Sequence, residues 1–388
     1  MEQMVVIYSI VVALLAALII FIVLVNKNVI MKYSNNVIKR VLTKPLVMYS
    51  LRRIASAVIS FALAIVVTFC LLRIQDKNLL CTKETGWKKF SAEIREMLCE
   101  RKLDSLGLND PLIVQILNYF YQIIPFPKKV CIAHTTTSTF EYICSNSQMM
   151  IVNFGRTTEL GKNESIAAIF NRTMPVSMKI GLGGLAIEMI IGYPMGVFMA
   201  KYKNKWFDKL GNAYIILVGS IPSLVYFYLL QAILVKGFNL PLRWTSSNPI
   251  SGLAPMITLG IGGIAGIALW VRRYMVDEFG SDYVKFARAK GVPENTILFK
   301  HVLRNAVVPL VRSIPSGVIY CLLGSYFVEK IYGVEGFGQL LISGINAKDY
   351  NVVQAVVVVS AIISIFSNLL GDITTAIADP RVSFSSND

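Results

Sequence analysis

The sequence has little charge and little histidine for its length. Only 16% of its 388 residues are charged, whereas soluble domains are usually about one quarter charged. Its two histidines are His134 and His301. With 55% apolar residues, the chain does not have the composition of a disordered protein or of an ordinary cytosolic globule.

The sequence instead contains several long apolar runs. Each is about 20 residues long, the length that a helix needs to cross a bilayer. The seven runs are 5–25, 54–72, 180–200, 213–235, 252–271, 306–328 and 352–370. We expect the first to be a retained helix, because no basic residue precedes it as it would in a secretory signal peptide.

The basic residues predict the orientation of these helices. Short loops rich in Lys and Arg stay in the cytoplasm, and the segments 26–53, 201–209 and 272–304 together hold 18 of the 38 Lys and Arg residues. Seven helices then place the N-terminus outside and the C-terminus in the cytoplasm. The surplus of 15 positive charges is therefore mostly a topology signal and does not indicate nucleic-acid binding, and the apolar runs imply contact with membrane lipid.

Residues 74–173 form a predicted extracytoplasmic inserted domain that contains four of the six cysteines. Two disulfides among Cys81, Cys99, Cys131 and Cys144 are expected, in any of three pairings. Free thiols and zinc binding are the alternatives, although no Cys-x-x-Cys pair is present. The other two cysteines, Cys70 and Cys321, lie in apolar runs and are expected to be packing residues.

The sequence lacks a recognisable catalytic or metal-binding constellation. The ionisable residues within the predicted spans are Lys179, Glu188 and Arg312. The two histidines fall on opposite sides of the membrane, and the glycine-rich segment 155–163 lacks the spacing and the Ser or Thr of a phosphate-binding loop. We therefore predict no catalytic residue, no metal and no cofactor in this chain.

Glu188 has two interpretations. A carboxylate in the middle of a span must face protein or water, so it either makes a structural hydrogen bond or lies on a substrate path. Two glycine pairs four residues apart, Gly192/Gly196 and Gly262/Gly266, are expected to allow close helix packing more than to line a path.

The cytoplasmic loop 272–309 contains a short predicted helix. Ser281 is expected to cap a helix that begins at Asp282 and ends at Gly291, and Pro293 is expected to start a second helix. Tyr283, Phe286 and Ala287 form an apolar edge with Lys285 and Arg288 turned away, and Ala289 and Lys290 complete the helix. Such a helix suits either a groove in a partner protein or a membrane surface.

Several motifs of this chain resemble one family, the inner-membrane permeases of binding-protein-dependent ATP-binding-cassette importers, and within it the first permease of the oligopeptide, dipeptide and nickel branch. The loop 282–291 with 301–309 is similar to the branch's coupling loop. The other matching motifs are Tyr49-Ser-Leu-Arg-Arg53, Phe154-Gly-Arg156, Gly219-Ser-Ile-Pro-Ser223, Gly336-Phe-Gly338, Asp349-Tyr350 and Asp379-Pro-Arg381. Residues 1–46 and the long insertion 74–153 depart from the family pattern.

The resemblance implies an all-α polytopic membrane protein with a six-helix permease core. Its predicted segments are an extra N-terminal transmembrane helix and basic linker at 1–46, the first core helix at 47–73, the inserted domain at 74–173, five further core helices at 174–376 and a cytoplasmic tail at 377–388.

The family also implies partners and a substrate. The expected partners are a second homologous permease, two cassette ATPases that bind ATP and Mg²⁺, and an extracytoplasmic substrate-binding protein. Residues 283 and 285–291 would couple to the ATPases. Peptides are the implied substrate, with nickel, glutathione or another small solute as alternatives, and an ATP-independent secondary transporter or channel is the rival class.

Overall fold

The structure is a computed structural model that describes residues 56, 59–70, 91–105, 109–123, 127–128, 131–135, 140–144, 148–149, 152–160, 164–311 and 313–378. The predicted helix 5–25, the linker 26–53, Cys81, Arg312 and the tail from residue 379 lie outside the described residues. Helices dominate the described part, as predicted, and the chain divides into two compact units.

The described part of the insertion contains both helices and strands. Helix α1 (Ile59–Cys70) precedes it, followed by α2 (Ala92–Ser105) and α3 (Leu112–Ile123). Strand β1 (Pro127–Lys128) pairs antiparallel with β4 (Gln148–Met149), and β2 (Cys131–Thr135) pairs antiparallel with β3 (Phe140–Cys144). The all-helical prediction concerned the permease core and left the fold of this insertion open, and the β-branched and aromatic residues at 132, 135, 140, 142 and 143 favour the strands.

The cysteines of the insertion are partly described. Cys99 on α2 is disulfide-bonded, and its partner is not among the residues whose side chains the structure describes. Cys131 and Cys144 are register partners at one end of the β2–β3 ladder. The pairing of the four cysteines stays a prediction. Cys70 and Cys321 are half-buried free thiols, in keeping with their expected packing role.

The first compact unit combines Val58–Ile169 with Ser343–Val358. Ile65, Ile123 and Val358 are buried at its core. Asp349 is also buried, and its Oδ2 accepts hydrogen bonds from the backbone N–H groups of Thr158, Glu159 and Leu160 at 2.8, 2.9 and 3.1 Å. The segment that superficially resembles a phosphate loop thus binds a carboxylate of its own chain.

The remaining helices follow in chain order. They are α4 (Ile166–Lys201), α5 (Trp206–Ser220), α6 (Ser223–Ala232), α7 (Leu253–Phe279), α8 (Asp282–Ala289), α9 (Glu294–Thr296), α10 (Leu303–Ala306), α11 (Val308–Val311), α12 (Ser313–Tyr320), α13 (Tyr326–Tyr332), α14 (Leu340–Ala347) and α15 (Tyr350–Ala378).

Three segments of the described chain are single helices long and apolar enough to cross a membrane. They are Ile166–Lys201, Pro249–Phe279 and Tyr350–Asp372, and they correspond to the predicted runs 180–200, 252–271 and 352–370. Hydropathy therefore located all three. It placed the start of the first of them 14 residues too late, because the amino-terminal part of α4 is less apolar.

The predicted runs 213–235 and 306–328 are broken helices instead of single straight ones. The pair Trp206–Ser220 and Ser223–Gly237 is bent by 109°, and the pair Glu294–Ala306 and Val308–Leu323 by 47°. Ile221 is extended, with ψ 130°, because the ring of Pro222 disfavours a helical residue before it. Pro309 and Pro315 likewise remove helical hydrogen bonds from the second pair.

Small residues let α4 and α7 approach closely within the second unit, which combines Phe170–Ile342 with Val359–Asp388. A Cβ at Gly196 would lie 2.6 Å from the Cβ of Val271, and one at Gly192 would lie 3.1 Å from the Cβ of Ile267. Close packing explains both glycines, whereas a Cβ at Gly266 would meet no atom within 4 Å.

Candidate functional site

Helix α8 lies where the sequence predicts the coupling helix. It begins at Asp282, and Gly291 follows its end with φ +72°. The N–H of Gly291 donates to the carbonyl of Arg288 at 2.9 Å, and the N–H of Val292 donates to that of Ala287 at 3.1 Å. This pair of bonds is the helix-ending motif that glycine favours, so the predicted end of the helix is correct.

The beginning of α8 differs in one detail from the prediction. Ser281 occupies the N-cap position with ψ 153°, but its side chain makes no capping hydrogen bond. Its hydroxyl instead donates to the carbonyl of Glu278 at 2.7 Å, which secures the turn after α7. Pro293 precedes the second helix, α9, by one residue.

The predicted apolar edge of α8 is divided between two faces. Tyr283 and Ala287 pack against a core cluster of the same chain, which includes Met275 and Val302. Val284, which lies outside the predicted apolar edge, is fully buried in that cluster. Phe286 points the other way, with 68% of its surface exposed.

A hydrogen bond also holds the inner face of α8. The Tyr283 hydroxyl donates to the Glu278 carboxylate, and burial together with this bond raises the pKa of that hydroxyl. The bond therefore persists at neutral pH. The helix is anchored by buried contacts and presents its opposite face to solvent.

The outer face of α8 has a mixed charge pattern. Lys285 forms an exposed ion pair with Asp282 at 2.8 Å, and Arg288 forms one with Glu294 at 2.7 Å. Ala289, Lys290 and Gly291 are exposed at the end of the helix. Exposed pairs of this kind contribute little to stability and leave the face available to a partner.

A bidentate ion pair ties α7 to the start of α5 near the same end of the molecule. The guanidinium of Arg272 donates to both carboxylate oxygens of Asp208, which is buried. Asp208 also accepts the backbone N–H of Asn204 at 2.8 Å. This network fixes the short basic loop 201–205 relative to the helix that leads into α8.

A cavity of about 590 Å³ lies within the second unit, and Glu188 lines it. Its walls come from α4, α7 and the segment from Pro309 to Glu329, and Gly266 also lies in the wall. Glu188 therefore borders an internal space, and it shares one face of α4 with Gly192 and Gly196, its carboxyl group lying against Gly263 of α7. Its role on a translocation path stays a prediction.

Sequence reasoning missed a second acidic residue of the cavity wall, Glu329. It follows directly after the predicted run 306–328 and is almost completely buried, with 1% of its surface exposed. Ser177 Oγ donates to its Oε1 at 2.6 Å, and the N–H of Gln339 donates to its Oε2 at 3.0 Å.

The Gly336-Phe-Gly338 motif is explained by this carboxylate. A Cβ at Gly336 would collide with the carboxyl group of Glu329, and one at Gly338 would lie 3.0 Å from its Oε2. The N–H of Phe337 donates to Ser177 Oγ at 2.7 Å. The motif was thus a signal for a buried acid, which the hydropathy pattern alone did not reveal.

Comparison with known proteins identifies related sequences. Residues 192–384 match the family described as binding-protein-dependent transport system inner membrane component. The chain is 38% identical to the oligopeptide transport system permease protein AmiC of Streptococcus pneumoniae over 54% of this chain and 43% of that protein. The match therefore spans less than half the length of AmiC.

A second relative is matched over most of its length. The dipeptide transport system permease protein DppB of Lactococcus lactis subsp. cremoris is 34% identical over 62% of this chain and 80% of that protein. Among solved structures, an inward-facing methionine ABC transporter shares 18% identity with a TM-score of 0.45, covering 54% of this chain and 96% of that one.

These matches include the coupling loop, the broken helices and the buried Glu329 with its glycine motif. The family predicted from the sequence motifs is therefore confirmed. The chain belongs to the family of binding-protein-dependent transport system inner membrane components and is a multi-pass membrane permease.

Proposed function

We propose that the chain is the permease subunit of an ATP-driven importer that moves oligopeptides or dipeptides into the cytoplasm. The permeases AmiC and DppB, which it resembles, carry oligopeptide and dipeptide transport in their names. The cavity lined by residues of the permease helices offers space for a small solute.

The proposed complex contains a second homologous permease, two cassette ATPases and an extracytoplasmic binding protein. ATP and Mg²⁺ belong to the ATPases. The orientation proposed from the basic loops puts α8 in the cytoplasm, where the ATPases lie, and the insertion 74–153 outside, where it contacts the binding protein.

The geometry of α8 is the observation that carries this proposal. Val284 is fully buried beneath the helix while Phe286 is exposed on it. Leaving an aromatic ring in water is unfavourable unless a partner covers it, and a rigidly seated ring transmits a push from that partner to the core below. We therefore propose that Phe286 inserts into a groove of an ATPase.

The test is a matched pair of variants. Phe286→Ala removes a side chain that is 68% exposed on α8. Phe238→Ala removes one that is 69% exposed directly after the helical turn 233–237 that continues α6. We expect F286A to weaken ATPase binding about tenfold or more, as for an aromatic interface residue, and F238A to leave it within about twofold.

The measurement is affinity purification of the chain from its native membrane, with quantification of the co-purified ATPases, followed by peptide uptake in reconstituted vesicles. Equal ATPase recovery with F286A and with the unaltered chain would contradict the coupling role. Uptake by the chain without any ATPase would contradict the importer and favour a secondary transporter or channel.

A further inference from the structure

The cavity of the second unit combines apolar walls with very few charges. Of its described lining residues, two have carboxyl groups and none is basic: the two acids are Glu188 and Glu329. The aromatic residues Tyr193, Trp270 and Tyr274 also line the cavity. A mostly apolar pocket with a few polar groups is the usual composition of a site for a small molecule.

The two carboxylates have different surroundings. Glu329 accepts hydrogen bonds from Ser177 and from the backbone of its own loop, so its oxygens are occupied. Glu188 makes no hydrogen bond or ion pair with another residue that the structure describes, and its carboxyl group lies against the bare backbone of Gly263. Glu188 is thus the carboxylate available to a ligand.

The depth of Glu188 strengthens its attraction for a cation. It lies 13 residues before the end of α4, which is about 20 Å along the helix axis. Glu188 is only partly exposed, so its carboxylate is partly desolvated, and its attraction for an opposite charge is larger than at the surface because the local dielectric constant is lower. Nearby aromatic ring faces attract cations as well.

We propose that Glu188 binds a primary ammonium group of the transported peptide, supplied by the peptide's N-terminus, while the peptide occupies this cavity. The inference rests on the proposed function of peptide import. Unmodified peptides carry an N-terminal ammonium group, which is primary unless the first residue is proline, so the one carboxylate of the mostly apolar cavity that lacks a described hydrogen-bond partner recognises peptides without regard to their other side chains.

The test uses vesicles that contain the complete importer with its binding protein. Uptake of Ala-Ala-Ala and of its N-acetylated form is measured for the unaltered chain and for Glu188→Gln, Glu188→Asp and Glu335→Gln. Each peptide is supplied at a concentration that saturates the binding protein. Glu335 is an exposed acid on the loop between α13 and α14, so E335Q is the matched control.

We expect E188Q to slow uptake of Ala-Ala-Ala by about tenfold or more, since a charge-assisted hydrogen bond is lost, and to slow the acetylated peptide much less. E188D keeps the charge and should retain most of the uptake, and E335Q should match the unaltered chain.

Three results would overturn the proposal. The first is unchanged uptake of Ala-Ala-Ala by E188Q, and the second is equal slowing of the free and acetylated peptides. The third is the same amine-selective loss in Arg312→Gln, because Glu188 would then serve an ion pair with that residue.

Two further measurements identify which ammonium group is bound and distinguish a failure of this inference from a failure of the proposed function. If E188Q slows N-acetyl-Ala-Lys-Ala as much as Ala-Ala-Ala, a lysine side chain is bound equally and the assignment to the N-terminus is wrong. If the unaltered importer takes up no peptide, the proposed function fails, whereas peptide uptake that ignores residue 188 defeats only this inference.

Discussion

Glu329 shows how a single residue makes stability depend on pH. It lies beyond the Val308–Leu323 segment, and burial raises the pKa of its carboxyl from 4.5 to about 7, although hydrogen bonds from Ser177 and Gln339 oppose the shift. The folded chain therefore holds a proton that the unfolded chain releases between these pH values. This group's stabilising contribution is complete below pH 4.5 and declines as the pH rises to about 7.

We expect Glu329→Gln to remove this pH dependence. At 1.36 kcal/mol per pKa unit, the shift corresponds to roughly 3 kcal/mol of unfolding free energy lost between pH 5 and pH 8. The measurement is thermal unfolding of the purified chain in detergent at these two pH values. Glu335→Gln is the control and should behave as the unaltered chain. A wild-type pH dependence in E329Q would show that Glu329 is not the responsible group.

Helix α8 shows that the local sequence can predict where a helix ends but not which of its faces is buried. Its end was predictable, because Gly291 and Pro293 act through their own backbone preferences, and its start at Asp282 was predicted although Ser281 makes no capping hydrogen bond. Its orientation was not, because the spacing of Tyr283 and Phe286 defines an edge without saying which helices will cover it. The burial of Val284 depends on α7 and on the segment after α9, which are distant in sequence.

Gly291 offers a test of the left-handed turn that ends α8. Its φ is +72°, and a Cβ there would meet no atom within 4 Å, so a substitution acts through backbone strain and not through a clash. Gly291→Val should cost roughly 1–2 kcal/mol at this backbone conformation, whereas Gly291→Asn tolerates it better. We expect G291V to lower peptide uptake per ATP hydrolysed and G291N to keep most of the coupling.

The two rates are measured together in reconstituted vesicles, so that loss of coupling is distinguished from loss of protein. Membrane insertion of both variants, checked by their recovery in the membrane fraction, is the control. Equal coupling ratios in G291V and G291N would indicate that the left-handed conformation at this position is not required for transmission.

At the scale of the whole molecule, hydropathy predicted where the membrane segments lie but not how they bend. Hydropathy measures how long an apolar run is, so it located the segments Pro249–Phe279 and Tyr350–Asp372. It contains no information about a 109° bend, which depends on the single residue Pro222 and on the packing of α5 and α6. The cavity was likewise invisible, because its wall residues come from helices far apart in sequence.

The insertion provides a whole-molecule test of the proposed binding-protein contact. Deleting all of it would remove Tyr119 and Ile123, which belong to the core around Ile65, and would unfold the first unit. A smaller excision avoids this problem. Lys128 and Gln148 are register partners in an antiparallel pair, so residues 129–147 can be replaced by a two-residue Asn-Gly turn.

We expect this excision to leave the chain folded and its ATPases bound, because the described core contacts of α1, α3 and the 349–358 segment are retained. The concentration of loaded binding protein needed for half-maximal ATP hydrolysis should rise about tenfold, as expected for loss of part of an interface. Titration of the binding protein against the reconstituted importer measures this change. An unaltered titration curve would mean that the β2–β3 hairpin does not contact the binding protein.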